Sequence, residues 1–359
     1  MDSSNNRIDV ACIANYPSNA ALRYLRKNLG DPVDGLYFSP MFYNFLDVRG
    51  AVISINSSHT DLANLTGIKN ARVQFMAALN SIVDQGLKTV VLAASLKRFL
   101  GKNGDERIDL SGVANKNGKT ISEWCPNVIF TNGDCGTADI FNQEIGNLLE
   151  LAGVSKGYGR VGVVGAGILG TQAIKHLIGL GIDESQIFVV SAYSNDLREA
   201  IKGHEDVTIA ASLEAMTNSL DAIICCTHSN SITKAQLYYV DCKFVLDVAV
   251  PPGFTEEEYV KCKDVYRQDG GNAYSENLFY QFDPSGIDLA ADKEMYGCFA
   301  EGTALSQYIY KNGYMFQGQN LKNLNWFELS DLNLRIASSL FEQFGFSRHP
   351  HPLCFGIPV

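Results

Sequence analysis

The chain has no uninterrupted apolar run of the ~18–20 residues that a membrane-crossing helix needs, so no transmembrane segment is expected. Its first residues, MDSSNNRID, lack the basic-then-apolar order of a secretory signal, and the expected location is cytoplasmic. Basic charge is scarce. Lys and Arg number 29 against 39 Asp and Glu, a net charge of −10. Such an excess repels a phosphate backbone, so no nucleic-acid partner is expected. The nine cysteines form no C-x-x-C pair, which excludes a disulfide framework and structural zinc. No metal is expected, and the tail His349-Pro350-His351 with Cys354 reads as a disordered end. Internal repeats and low-complexity segments are also missing. What remains is an ordinary globular balance, 46% apolar and 19% charged over 359 residues, enough for two or three lobes.

The pattern predicts an α/β fold in three parts. Residues 1–155 form an N-terminal α/β lobe, with strands at Val10–Ile13, Ala51–Ile55, Thr89–Ala93 and Val128–Phe130. Its helices are Asn19–Leu29, a segment near Asn70–Asp84, and Cys135–Gly153, the last opened by the turn Thr131-Asn132-Gly133-Asp134. Residues 156–275 alternate strands and helices as a doubly wound parallel Rossmann domain. Residues 276–359 form a C-terminal helical segment, with helices at Lys293–Lys311 and Leu329–Phe344.

Val163-Val164 leads into Gly165-Ala166-Gly167-Ile168-Leu169-Gly170, a G-x-G-x-x-G turn between a strand and a helix. The first glycine permits the tight turn, the second lets a pyrophosphate approach the backbone, and the third lets helix pack on strand. The helix start offers free N–H groups to the phosphate. The second strand ends at Ser191, where an NAD site usually has an acid for the ribose 2′-hydroxyl. Neither Ser191 nor Ala192 nor Tyr193 is acidic, so NADPH is the expected cofactor, with Arg198 the nearest cation. Two more loops follow strands: Thr227-His228-Ser229-Asn230 and Asp247-Val248-Ala249-Val250-Pro251-Pro252-Gly253. The expected cofactor-binding residues are Gly165, Ala166, Gly167, Ile168, Leu169, Gly170, Ser191, Tyr193, Arg198 and Thr227. His228 is a candidate proton donor or a loop histidine with no chemical role.

Two cysteines are candidate nucleophiles. Cys135 stands at a helix start, where the dipole favours a thiolate. Cys298 falls inside the predicted Lys293–Lys311 helix, with Glu294 and Glu301 on one face with it, and carboxylates oppose a thiolate. Local electrostatics favour Cys135.

Met295-Tyr296-Gly297-Cys298-Phe299-Ala300-Glu301 resembles the M-x-x-C-F-A-E segment of the cyanobacterial long-chain acyl-[acyl-carrier-protein] reductases. Thr131-Asn132-Gly133-Asp134-Cys135-Gly136-Thr137-Ala138 looks like that family's T-T-G-N-x-x-T-A helix start. Val163–Gly170 stands where the family has its nucleotide loop, one residue shorter here, and Leu246-Asp247 looks like its strand end before a Gly/Pro loop. The similarity runs from about Thr131 onward. It departs at Tyr193, where the family has Arg, and at Gly136, where the family has His. The resemblance implies that Cys298 is the catalytic nucleophile, against the electrostatic preference for Cys135.

The implied activity is NADPH-dependent reduction of an acyl thioester, on an acyl carrier protein or coenzyme A, to an aldehyde through an acyl-Cys298 intermediate. The substrate would enter between the first lobe and the Rossmann lobe. Arg23, Arg26, Lys97 and Arg98 offer a basic face to an acidic carrier protein, or are simply solvated. Two alternatives stay open. One is another two-lobe reductase of the shikimate dehydrogenase or glutamyl-tRNA reductase type; Leu246-Asp247-Val248-Ala249-Val250-Pro251 looks like a segment of the latter. The other is a non-catalytic NAD(P)-binding sensor.

Overall fold

The computed structural model describes residues 7–99, 121–191, 194–216, 219–227, 231–287 and 292–358. It divides into two compact units, residues 1–137 with 273–347, and residues 138–272 with 348–359. This differs from the expected three parts, because most of the C-terminal helical segment belongs to the first unit.

The first unit begins with strand β1 (Val10–Tyr16) and helix α1 (Asn19–Leu29). Ser18 starts that helix by accepting the Ala21 N–H with its hydroxyl at 3.1 Å, an N-cap that satisfies one orphan donor. Strands β2 (Met41–Phe45) and β3 (Val48–Ser58) form an antiparallel hairpin, followed by α2 (Leu65–Asn80) and β4 (Thr89–Leu92). The short α3 (Ile121–Trp124) leads to β5 (Ile129–Thr131) and to α4 (Asp134–Ala152), which continues into the second unit.

In the second unit a strand and a helix alternate: β6 (Val161–Val164), α5 (Ile168–Gly179), β7 (Ile187–Val190), α6 (Ser194–Ala200) and β8 (Thr208–Ala210). Then come β9 (Ala222–Cys225), α7 (Lys234–Tyr239), β10 (Phe244–Asp247), α8 (Glu256–Tyr259) and β11 (Tyr266–Asp269). The sheet order is β11-β10-β9-β6-β7-β8, with every pair parallel. Counted within the unit this is 6-5-4-1-2-3, the doubly wound order, whose reversal between β6 and β9 opens a crevice at the strands' carboxyl ends. Such strands are buried on both faces and read as continuous apolar runs, as VGVV, IFVV and AIIC do. Phe141, Ile145 and Leu148 of α4 join α5 and α6 on one face. Leu237, Val240, Phe254 and Cys262 cover the other.

The chain then returns to the first unit through β12 (Asn272–Tyr274), β13 (Leu278–Tyr280) and β14 (Glu294–Tyr296), and continues there with α9 (Gly297–Asn312) and α10 (Asp331–Phe344). The first unit's sheet has the order β13-β2-β3-β1-β4-β5. Its four strands from β3 to β5 are parallel, and β2 and β13 are antiparallel additions at one edge. Phe75, Met76 and Leu79 of α2 pack on Ile13, Ile53 and Val90. Helix α9 packs on β1, β3 and β4. A Cβ added to Gly302 would fall 2.2 Å from Val91 Cγ2, so only glycine lets the helix lie this close. A helix buried from Phe299 to Gln307 has no solvent face, which is why it is integral to this unit rather than a separate segment.

The tail is ordered, contrary to the disordered end expected of it. Leu353–Cys354 pairs with Ile357–Pro358 as a hairpin in the second unit. Phe355 lies over the Arg267 guanidinium at 3.8 Å, and the Gly356 N–H donates to Asp269 at 2.8 Å. Arg267 is 1% exposed and also reaches the Asp247 and Asp269 carboxylates and the Phe254 carbonyl. A buried guanidinium needs such partners, and the tail supplies one of them. Among the described residues no helix is long and apolar enough to cross a membrane.

Candidate functional site

The glycine turn of the second unit separates the three roles by geometry. Gly165 has φ +93, and an added Cβ would meet Thr227 Cβ at 2.6 Å. Here the turn after β6 touches the turn after β9. Gly170 is buried, and its Cβ would fall 1.9 Å from the Gly165 carbonyl oxygen. Gly167 faces the other way: nothing lies within 4 Å of the position a Cβ would take. Gly167 is also the N-cap of α5 and carries no side-chain cap, so the helix start keeps donors for an outside acceptor. Gly167 and Ile168 are exposed, Ala166 and Leu169 half-buried. An open, uncapped helix start of this kind fits a pyrophosphate.

The loop after β10 closes on the same end of the sheet. Asp247 accepts the Ala249 N–H at 3.1 Å and the Phe254 N–H at 2.8 Å, so it holds the loop's shape. Gly253 packs so that a Cβ would meet Cys225 Sγ at 2.3 Å and the Thr227 carbonyl at 2.5 Å. Ser191 is nearly buried, with its N–H donating to the Ala210 carbonyl at 3.2 Å. Arg198 lies in the last turn of α6 and donates to the Glu205 carbonyl at 3.4 Å, toward the end of the helix that is remote from Ser191. Tyr193 and His228 lie outside the described residues, as do the side chains of Lys97 and Arg98.

The sulfur candidates separate by burial. Seven of the nine cysteines are buried; Cys226 and Cys298 are half-buried. Burial pushes the Cys226 thiol well above its ordinary range. Cys135, favoured by its helix-start position, is 1% exposed. Burial pushes its thiol far up, and Glu301, Asp134 and Glu328 add to the rise. Its Sγ faces the Glu328 carbonyl at 3.7 Å within a packed interior. The helix carrying Cys298 starts at Gly297, not at Lys293; Glu294 belongs to β14 instead. Cys298 therefore stands in the first turn of a 16-residue helix, and the shared helical face with Glu294 does not exist. β-pairing captures Glu294–Tyr296 and leaves the helix to begin at the glycine.

The turn between β5 and α4 lies directly against Cys298. Gly133 has φ +73, and its Cβ would fall 2.3 Å from both Cα and Cβ of Cys298. A Cβ on Gly136 would meet the Gly297 carbonyl at 2.5 Å and Glu301 Cβ at 2.7 Å. This is the position at which the reductase family has histidine, and here no side chain fits. We expect Gly136→Ala to destabilise the fold by about 2 kcal/mol, as overpacking does. Urea unfolding measures it, and an unchanged midpoint would show that the two helix starts can separate.

Glu301, one turn after Cys298, was read from sequence only as a neighbouring charge. It is 1% exposed. Its Oε2 accepts the Gly136 N–H at 2.7 Å, and its Oε1 bonds the Thr131 hydroxyl. Burial raises the carboxyl from 4.5 to about 7, against the lowering effect of the Thr131 hydroxyl and of the Gly136 and Cys135 N–H groups. Thr131 Oγ also accepts the Gly133 N–H at 2.8 Å and lies 3.2 Å from the Trp326 carbonyl. Glycines at both ends of a helix's first turn were the available sequence signal for this close packing.

No family model matches the sequence, and no curated protein matches it. Among solved structures the chain is similar to the L-tryptophan dehydrogenase of Nostoc punctiforme, at 14% identity over 94% of this chain and 88% of that one, TM-score 0.41. Shikimate dehydrogenase 1 of Peptoclostridium difficile gives 12% identity over 94% and 99%, TM-score 0.38. An Entamoeba histolytica malic enzyme gives 13% over 96% and 77%, TM-score 0.42. The resemblance to the acyl-carrier-protein reductases thus rests on the residue matches alone.

Proposed function

We propose that the chain is an NAD(P)-dependent oxidoreductase that reduces an acyl thioester to an aldehyde, with NADPH as reductant. The observation that carries this reading is the contrast among the cysteines. Cys298 is a half-buried thiol at a helix start, set against a glycine turn, within the segment that resembles the reductases. The cofactor would be held by the Gly165–Gly170 turn and the uncapped start of α5, with Thr227 beside Gly165. When bound, the nicotinamide supplies a hydride.

Cys298 attacks the acyl carbon as a thiolate. A carbon–sulfur bond to Cys298 forms, the bond to the carrier sulfur breaks, and the carrier leaves as its thiol with the proton that Cys298 gave up. Hydride addition to the acyl carbon would leave a hemithioacetal oxyanion on Cys298; its carbon–sulfur bond then breaks, the aldehyde leaves, and the Cys298 thiolate takes one proton from solvent to restore the thiol. The preference for NADPH is supported by the lack of an acid at Ser191. Exposed Arg23 and Arg26 on α1, a helix without acidic residues, support an acidic carrier protein as substrate bearer. The test is an NADPH oxidation screen over acyl-carrier and acyl-coenzyme A thioesters with aldehyde detection, repeated with NADH. Aldehyde formation faster with NADPH is the expected result. Cofactor binding with no turnover on any acyl thioester would overturn the reductase reading.

A further inference from the structure

Helix α4 is only partly capped from its own turn: Asn132 Oδ1 accepts the Asp134 N–H at 3.1 Å. The Gly133 carbonyl accepts the Thr137 N–H at 3.1 Å, which makes Gly133 the N-cap residue. Serine, asparagine or aspartate usually stands there and satisfies the next free N–H groups. Gly133 has no side chain to do so, and none can be added, because Cys298 occupies that space. The N–H groups left over belong to Cys135 and Gly136, and both go to Glu301. Glu301 comes from the helix that carries Cys298. The close approach of the glycine turn to the thiol and the long-range cap are thus one arrangement.

We propose that Glu301 is a positioning residue for Cys298: it locks the Gly133–Gly136 turn onto the first turn of α9 and sets its carboxyl one helical turn from the thiol. The role of the thiol rests on the reductase reading above; the lock itself does not.

The hydrogen bonds around the carboxyl can be kept in both protonation states. Ionised, it accepts from the Cys135 and Gly136 N–H groups and from the Thr131 hydroxyl. Protonated, it can donate to Thr131 Oγ, whose own proton turns to the Trp326 carbonyl at 3.2 Å. The charge can change while the turn stays in place. The titratable groups facing Glu301 are Asp134 and Cys135 on α4; Cys298 stands three residues before it on its own helix. Strand β5 presents the Thr131 hydroxyl, the chain before α10 the Trp326 carbonyl, and α10 the Phe341 ring, packed on Gly136. The helix start favours the ionised carboxylate and burial opposes it, which puts the change near neutral pH.

The test is the alkylation rate of Cys298 by iodoacetamide from pH 5.5 to 9, read at the Cys298 peptide by mass spectrometry on the full chain. In the wild type the carboxyl is protonated below about pH 7 and ionised above it. A negative charge disfavours the thiolate, so the rate climbs less steeply above that pH than a single ionisation allows. Glu301→Gln keeps the acceptor for Gly136 and a donor for Thr131, and removes the titration. Its profile follows one ionisation, with a rate about threefold above wild type at pH 8. Glu301→Ala also frees the turn, and its rate rises about tenfold or more at every pH. A Gln profile coincident with the wild type would overturn the proposal, whether or not the Ala variant folds. A purely structural cap predicts that coincidence. If acyl thioesters leave no adduct on Cys298, the reductase reading falls while this profile stands on its own.

Discussion

Cys298→Ala is expected to remove the acyl adduct and the aldehyde-forming turnover together, the latter by about a thousandfold or more. The reason is chemical. A thioester exchanged onto a second thiol costs little free energy, and no hydroxyl or amine in this turn substitutes for that sulfur. Cys135 lies close in sequence to the Gly133 turn, but its thiol is held far above its ordinary range by burial and by three carboxylates. Cys135→Ala is therefore the matched control and should keep the adduct. Intact-protein mass spectrometry after mixing with acyl thioester reads both variants. An adduct of unchanged mass and yield in Cys298→Ala would take the residue out of the mechanism.

The second large effect concerns the glycine turn, and it separates two glycines of one motif. Gly170→Val places its Cβ on the Gly165 carbonyl, 1.9 Å away, so α5 must move off β6. A loss of about 3 kcal/mol in stability and of about a hundredfold in NADPH affinity is expected. Gly167→Ala meets nothing within 4 Å. Its stability should stay within about 0.5 kcal/mol, while NADPH affinity falls about tenfold, because the new methyl stands where a pyrophosphate would approach. Urea unfolding and NADPH fluorescence titration measure the two quantities. Unchanged affinity in Gly167→Ala would show that the phosphates bind elsewhere.

The contrast between the two units explains what could be read in advance. In the second unit, local signals and tertiary structure agree. Most strands are short apolar runs bounded by turn residues, β11 (Tyr266–Asp269) excepted; a helix follows each of β6, β7, β9 and β10, and a parallel sheet leaves few topologies open. The G-x-G-x-x-G turn is legible because its glycines fall within six consecutive residues, Gly165 and Gly170 answering steric demands and Gly167 leaving its surroundings open. Helix α1 is likewise legible, since Ser18 and Gly30 punctuate it locally.

In the first unit the four parallel strands and helices α1, α2 and α4 are legible in the same way, but its edge is not. Strands β2 and β13 pair with partners that periodicity cannot name, and β14 takes Glu294–Tyr296 away from the helix predicted to contain them. The candidate site fared similarly. Cys298 is proposed through a resemblance, against local electrostatics that pointed to Cys135. The burial of Cys135, which depends on every neighbour at once, counts against that electrostatic preference. Glu301 became a helix cap only because α9 and α4 meet at Gly133 and Gly136, far apart in sequence from Cys298.

Charge balance, the lack of paired cysteines and of long apolar runs, and a glycine turn after a buried strand were determined by sequence alone, because each is set by composition or by neighbours along the chain. Which thiol is accessible, where α9 begins, that the tail is ordered, and which carboxyl closes α4 were decided only by tertiary structure. Exposure, desolvation and long-range capping arise from contacts between distant segments, and no local window of residues contains them.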